Sequence, residues 1–127
     1  MHWSDKYIGE PYIPEVADCA VLAVRVAKEV LGRDIAIPVP HAATIRAQAA
    51  QIDELKEDYA RRIEAPKDGQ PVLFIGRGRN CHIGIMCWLG NEWWVLHANQ
   101  TFQSITRERL RDITRLHYQV EGFYEWL

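Results

Sequence analysis

The chain has 127 residues, of which 48% are hydrophobic and 25% charged, and its 15 Lys and Arg against 17 Asp and Glu give a formal net charge of −2. That length fits one domain, read as residues 1–127, able to bury a core without metals or disulfides; the composition excludes disorder, collagen-like repeats and coiled coil as the main state. The charge balance excludes a global positive field for nucleic acid or an anionic membrane, and the best apolar run, Ala20–Val24, is broken by Arg25 and Lys28, far short of the roughly 18 residues of a membrane-spanning helix.

Residues 1–17 read as an irregular start, with Pro11 and Pro14 as breakers. Met1-His2-Trp3-Ser4-Asp5-Lys6 lacks the basic-then-apolar order of a secretory signal, so synthesis in the cytoplasm is expected, with any delivery to the outside by another route. A helix is predicted from Asp18 to Leu31, with Asp18 as N-cap and Gly32 at the C-terminal glycine position. Its polar residues, Arg25, Lys28 and Glu29, form one narrow stripe, so the helix is expected to be nearly engulfed. A second, amphipathic surface helix is predicted from about Ala42 to Ile63, on the stripe Ile45, Ala49, Ile52, Leu55, Tyr59 and Ile63.

The second half changes period. Pro71–Ile75 reads as a short apolar strand, and Gly76–Asn80 as a turn carrying Arg77 and Arg79. Cys81–Leu89 and Glu92–Ala98 are predicted as two strands joined by the two-residue turn Gly90-Asn91. Arg107–Asp112 reads as a solvated helical turn. A last strand alternates from about Leu116 to Trp126. Helices first and antiparallel strands after make the class α+β.

Three cysteines, Cys19, Cys81 and Cys87, are too few and odd in number for a disulfide framework, so at least one thiol is free. Cys19 stands just inside a helix start, where backbone N–H groups and the helix dipole favour the thiolate. The hairpin brings further groups together. With Gly90-Asn91 as the turn, Leu89 pairs with Glu92 and paired residue numbers sum to 181. His82, Gly84, Met86 and Trp88 then share one face with Trp93, Val95, His97 and Asn99. Gly84 is expected to leave open space in front of His97. Cys81, Ile83, Ile85, Cys87 and Leu89 face the other way with Trp94 and Leu96, as core. A cysteine near two histidines admits two chemistries. Zinc is one, although no closely spaced ligand pair such as Cys-x-x-Cys occurs. The other is nucleophilic catalysis, in which one histidine takes the thiol proton and a second polar group orients it. Asn99 rivals His97 for the orienting role.

The sequence resembles the NlpC-type cell-wall cysteine peptidases, particularly the phage tail-tip branch, over nearly its whole length. The likeness is carried by Tyr7-Ile8-Gly9-Glu10-Pro11-Tyr12, by Asp18-Cys19 with Leu22, and by Gly69-Gln70-Pro71-Val72-Leu73-Phe74. It continues in His82-Ile83-Gly84-Ile85, Leu96-His97-Ala98 and Glu121-Gly122-Phe123-Tyr124. The resemblance implies a papain-like core, a cysteine-bearing helix packed on an antiparallel sheet. It implies hydrolysis of peptide bonds in peptidoglycan stems, often after D-glutamate, through Cys19 as nucleophile, His82 as base and His97 as orienting group, with no metal and no cofactor. Tyr12 matches the family tyrosine near the site; Tyr12, Asp18, Trp88, Trp93 and Asn99 are the candidate substrate-side residues. Ala20 and Val21 stand where the family usually has serine and glycine. The implied partners are the stem peptide and phage tail-tip proteins, with neither nucleic acid nor membrane insertion, and the implied place of action is the cell wall, after delivery or lysis, with the virion as a carrier. Two other readings stay open: a non-catalytic tail-tip assembly or docking part of this fold, and an amidase or acyltransferase on the same Cys–His pair.

Overall fold

The computed structural model describes residues 2–11, 19–35, 58–76, 79–99, 102–114 and 118–127, with backbone alone at 19, 20, 76 and 79–81. Tyr12, Asp18, His41, Arg77, His117 and the predicted second helix as far as residue 57 lie outside them. A 3-10 helix (Trp3–Tyr7) precedes α1 (Cys19–Leu31). The strands are β1 (Ala60–Ile63), β2 (Pro71–Gly76), β3 (Arg79–Leu89), β4 (Glu92–Asn99), β5 (Ser104–Arg109) and β6 (Gln119–Trp126), with the one-turn helix α2 (Leu110–Ile113) before β6. They form one sheet in the order β1-β6-β2-β3-β4-β5, antiparallel at every neighbouring pair. The class is α+β.

The β3–β4 hairpin follows from its turn. Gly90 and Asn91 have φ of 61° and 59°, the pair of left-handed conformations that matches the twist of the flanking strands. The register runs from Leu89↔Glu92 to Ile85↔Leu96, as the two-residue turn requires. α1 also ends where its sequence says: Gly32 has a φ of 67°, and the Arg33 amide returns to the Ala27 carbonyl at 2.9 Å.

The sheet separates two apolar clusters. On one face Leu22, Ala23, Val26 and Ala27 of α1 pack on Leu73, Ile83, Ile85, Cys87 and Leu96. On the other, Val72, Phe74, Met86 and Val95 pack with Ile113 of α2, and Tyr118, Val120 and Phe123 close around them. Each face removes apolar area from water at about 25 cal/mol per Å².

Four expectations need correction. Residues 60–63 are not the end of a helix; they form β1, paired with β6 from Ala60↔Trp126 to Ile63↔Phe123. Residues 104–109 form a strand, so only the tail of the charged run at 107–112 is helical. α1 is less enclosed than expected, with Val21, Val24 and Val30 of its apolar set only half-buried. The start of the chain is not wholly irregular: Trp3–Tyr7 form the 3-10 helix, Tyr7 is fully buried, its hydroxyl donates to Glu29 at 2.7 Å, and Arg25 holds Glu10 at 2.5 Å. Backbone bonds between Gly9, Glu10 and Ile105, with a bridge from Pro11 to Ser104, lay residues 9–11 along β5.

Candidate functional site

Two strands bring the histidines together. His82 lies near the start of β3, opposite Phe74 of β2, and His97 near the end of β4, opposite Thr106 of β5. Nε2 of His82 and Nδ1 of His97 are 2.7 Å apart, the rings crossing nearly edge to face at 83°. Tyr118 stacks on His82 with centroids 5.1 Å apart, and Phe74 lies 6.0 Å away. Both residues are buried, at 7% and 3% exposure. Gly84 shares their face, but it leaves no open space: Cγ1 of Val95 would lie 2.4 Å from a Cβ at that position. The glycine is needed because the valine already fills the place.

A third group closes the chain. Nε2 of His97 makes a short hydrogen bond with Oε2 of Glu108 on β5, and Thr106 Oγ1 stands 3.5 Å from the same nitrogen. Glu108 pairs across the ladder with Val95, and Thr106 with His97, so both point to the histidine face. Burial pushes the pKa of both imidazoles below the ordinary value, because the charged form loses its hydration. For His82 the charge of His97 adds to the depression; for His97 the Glu108 carboxylate opposes it.

Cys19 is the first residue of α1, and its side chain lies outside the described residues. The body of α1 packs on the face opposite the imidazoles. Its direction is set by three contacts. Leu31, at the C-terminal end, packs on Gly69, whose amide bonds the Met86 carbonyl at 2.8 Å. Glu29 takes Tyr7, and Arg25 reaches Glu10. Pro11 bridges Ser104, the partner of Asn99. Travelling back from Leu31 through Arg25 therefore moves along the sheet toward the end that holds His82 and His97. Cys19 lies about 9 Å of helix beyond Arg25, so the helix start points to that end.

Trp88 and Trp93 pair in the expected register with ring centroids 4.9 Å apart, and Trp88 is 45% exposed. They sit by the hairpin turn, at the other end of the strands from the histidines. Asn99 donates to Thr106 Oγ1 at 3.4 Å and accepts from the Phe102 amide at 3.3 Å, while the direct partner of His82 is His97. Cys87 is fully buried on the α1 face, and burial pushes its thiol up to about 12. His2 caps the 3-10 helix, its Nδ1 2.7 Å from Ser4 Oγ. Among the described residues no group of three His, Cys, Asp or Glu is placed to hold a metal ion; the side chain of Cys19, which the zinc reading requires, lies outside them. Among the same residues no helix is long and apolar enough to cross a membrane.

Glu108 escapes a sequence reading because residues 107–112 scan as one charged helical turn. Its signal is the two-residue spacing of Thr106 and Glu108 on the side of the strand away from Ile105, which is buried on the α1 face. No family model, no curated protein and no solved structure matches the chain.

Proposed function

We propose that the chain is a thiol hydrolase with a papain-like, NlpC-type fold that cuts peptide bonds in peptidoglycan stem peptides. The observation that carries the reading is the hydrogen-bonded pair His82–His97 at the sheet end toward which the first residue of α1, Cys19, is directed. In this reading the sulfur enters over the end of the sheet. The Cys19 proton passes to His82, and the thiolate attacks the peptide carbonyl carbon. The backbone N–H of Cys19, at a helix N-terminus, steadies the oxyanion. His82 returns the proton to the leaving amine, and a thioester remains. Water, deprotonated by His82, attacks the thioester and releases the acid and the thiol. His97 orients His82 throughout.

The test is digestion of purified peptidoglycan fragments followed by mass spectrometry. Wild type should yield cleaved stems. Cys19→Ala, with an unchanged circular-dichroism spectrum, should yield none; retained turnover ends the proposal. One observation favours the alternative of a non-catalytic tail-tip docking part: the body of α1 and the two imidazoles occupy opposite faces of the sheet. Iodoacetamide mapping of the native protein separates the two. A single fast thiol at Cys19 supports the enzyme, and three slow thiols support the docking part.

A further inference from the structure

We propose that Glu108 is a positioning residue that fixes the proton pattern of both imidazoles and thereby makes Nδ1 of His82 the basic nitrogen. An ionised carboxylate only accepts hydrogen bonds, and a neutral imidazole has one donor nitrogen and one acceptor. Glu108 therefore accepts a hydrogen bond from the N–H at Nε2 of His97. Nδ1 of a neutral His97 is then an acceptor. It lies 2.7 Å from Nε2 of His82, so His82 donates from Nε2. Nδ1 of His82 is left with the lone pair, and among the described residues no hydrogen bond engages it.

The opposite pattern would have His97 donate from Nδ1. It would then set a bare Nε2 against the carboxylate, two acceptors with no proton between them, in a place where burial makes an unmade bond costly. Thr106 cannot replace Glu108 in this role, because its hydroxyl stands at 3.5 Å, the outer limit of a hydrogen bond, and can donate as well as accept. The location of the carboxylate suits that role. His97 is 3% exposed, whereas a quarter of the Glu108 side chain reaches water. The tautomer assignment stands on geometry alone, while its catalytic consequence rests on the thiol-hydrolase reading. A base at Nδ1 takes the thiol proton while Nε2 stays tied to His97, so the ring need not turn between steps.

The assay is nitrogen-15 NMR of the histidine rings at neutral pH in wild type, Glu108→Gln and Glu108→Ala. Wild-type His82 and His97 should both carry their proton on Nε2. Glu108→Gln offers an N–H donor beside its carbonyl acceptor, so it should loosen that pattern, though less than Glu108→Ala does. Glu108→Ala removes the acceptor and should convert His97, and with it His82, to a mixture of tautomers. On peptidoglycan fragments it should lower kcat by about tenfold or more with KM little changed, and Glu108→Gln should recover part of the loss. A wild-type His82 protonated on Nδ1 overturns the proposal, as does a Glu108→Ala spectrum identical to wild type. Should Glu108→Ala fail to fold, the wild-type pattern and Glu108→Gln still decide. Wild-type protein with the expected spectra and no peptidoglycan cleavage refutes the hydrolase reading alone; cleavage with Nδ1-protonated His82 refutes the tautomer assignment alone.

Discussion

Gly84→Ala should destabilise the fold by about 1–3 kcal/mol through overpacking. The added Cβ would stand 2.4 Å from Cγ1 of Val95, 3.2 Å from Cγ1 of Val72 and 3.3 Å from Cε2 of Phe74. Carbon atoms settle at about 3.5–4.0 Å, so the Val95 contact must open by more than about 1 Å. Val72, Phe74 and Val95 are all fully buried, and none can swing into water. Gly84 has no positive φ, so alanine meets no backbone obstacle and the effect is steric. The clash can be relieved from the other side. Val95→Ala removes the offending methyl and alone costs about 2 kcal/mol in lost burial. Combined with Gly84→Ala, whose methyl enters the vacated space, it should cost less than the sum of the two by about 0.5–3 kcal/mol. Urea denaturation of the four proteins measures the cycle, with a constant m-value as the sign that the unfolding reaction is unchanged. A Gly84→Ala protein within about 0.5 kcal/mol of wild type, or strict additivity in the cycle, would refute the argument that Val95 occupies the glycine's place.

Two further outcomes follow from the buried groups. The folded protein resists protonating His82 and His97, whereas the unfolded chain takes up those protons below about pH 6.5. The unfolded state thus binds more protons on the acid side, and stability should fall by up to about 1.4 kcal/mol per pH unit per histidine as pH drops below that value. Urea midpoints at several pH values between 7.5 and 5 measure the slope, which His82→Phe should reduce; an unchanged slope would show that His82 does not titrate as its burial requires. The Cys87 thiol, raised to about 12, carries on the order of 10³-fold less thiolate near pH 8 than a free cysteine. Peptide mapping after iodoacetamide should find Cys87 protected in the native protein and modified in urea, and equal labelling in both would contradict its burial.

The parts legible in the sequence are those fixed by local chemistry. Gly90-Asn91 can supply two left-handed residues in a row, and that fixes the hairpin register. The register in turn places His82 and His97 on one face. α1 is legible from its apolar periodicity and from Gly32. β1 is not, because Tyr59 and Ile63 lie four apart and continue a helical stripe; only pairing with β6, whose partners lie sixty or more positions away, makes residues 60–63 a strand. β5 is hidden by its composition, with five of its six residues, Ser104 and Thr106–Arg109, polar or charged. Tertiary partners account for its strand form: Ile105 in the core, Arg107 on Ser4 and Asp5 at 2.7 and 2.5 Å, and Glu108 on His97. Gly84 stands out in the sequence, but for the inverse of its real reason. A missing side chain reads as space in a sequence, while in a packed sheet a neighbour fills it.

The order of the three polar groups across the sheet has an energetic logic. His82, His97 and Glu108 step from β3 through β4 to β5, and β5 is an edge strand. The two inner groups can be neutral; the group that carries a charge at neutral pH stands where water reaches it. Reversing the order would bury a carboxylate beside Phe74 and Tyr118, at a cost of several kcal/mol that one imidazole would not offset. Among the described residues the cations next to Glu108 in sequence are engaged elsewhere: Arg109 and Arg111 pair with Glu92, and Arg107 with Asp5. If His82 accepts a proton in the proposed reaction, the new positive charge is two hydrogen bonds from a carboxylate already in place. No side chain has to move to meet it, and that preorganisation is worth most in a site closed to water. An edge strand rich in charge, which in a bare sequence looks like solvated surface, is thus the element that supplies a carboxylate to two buried histidines.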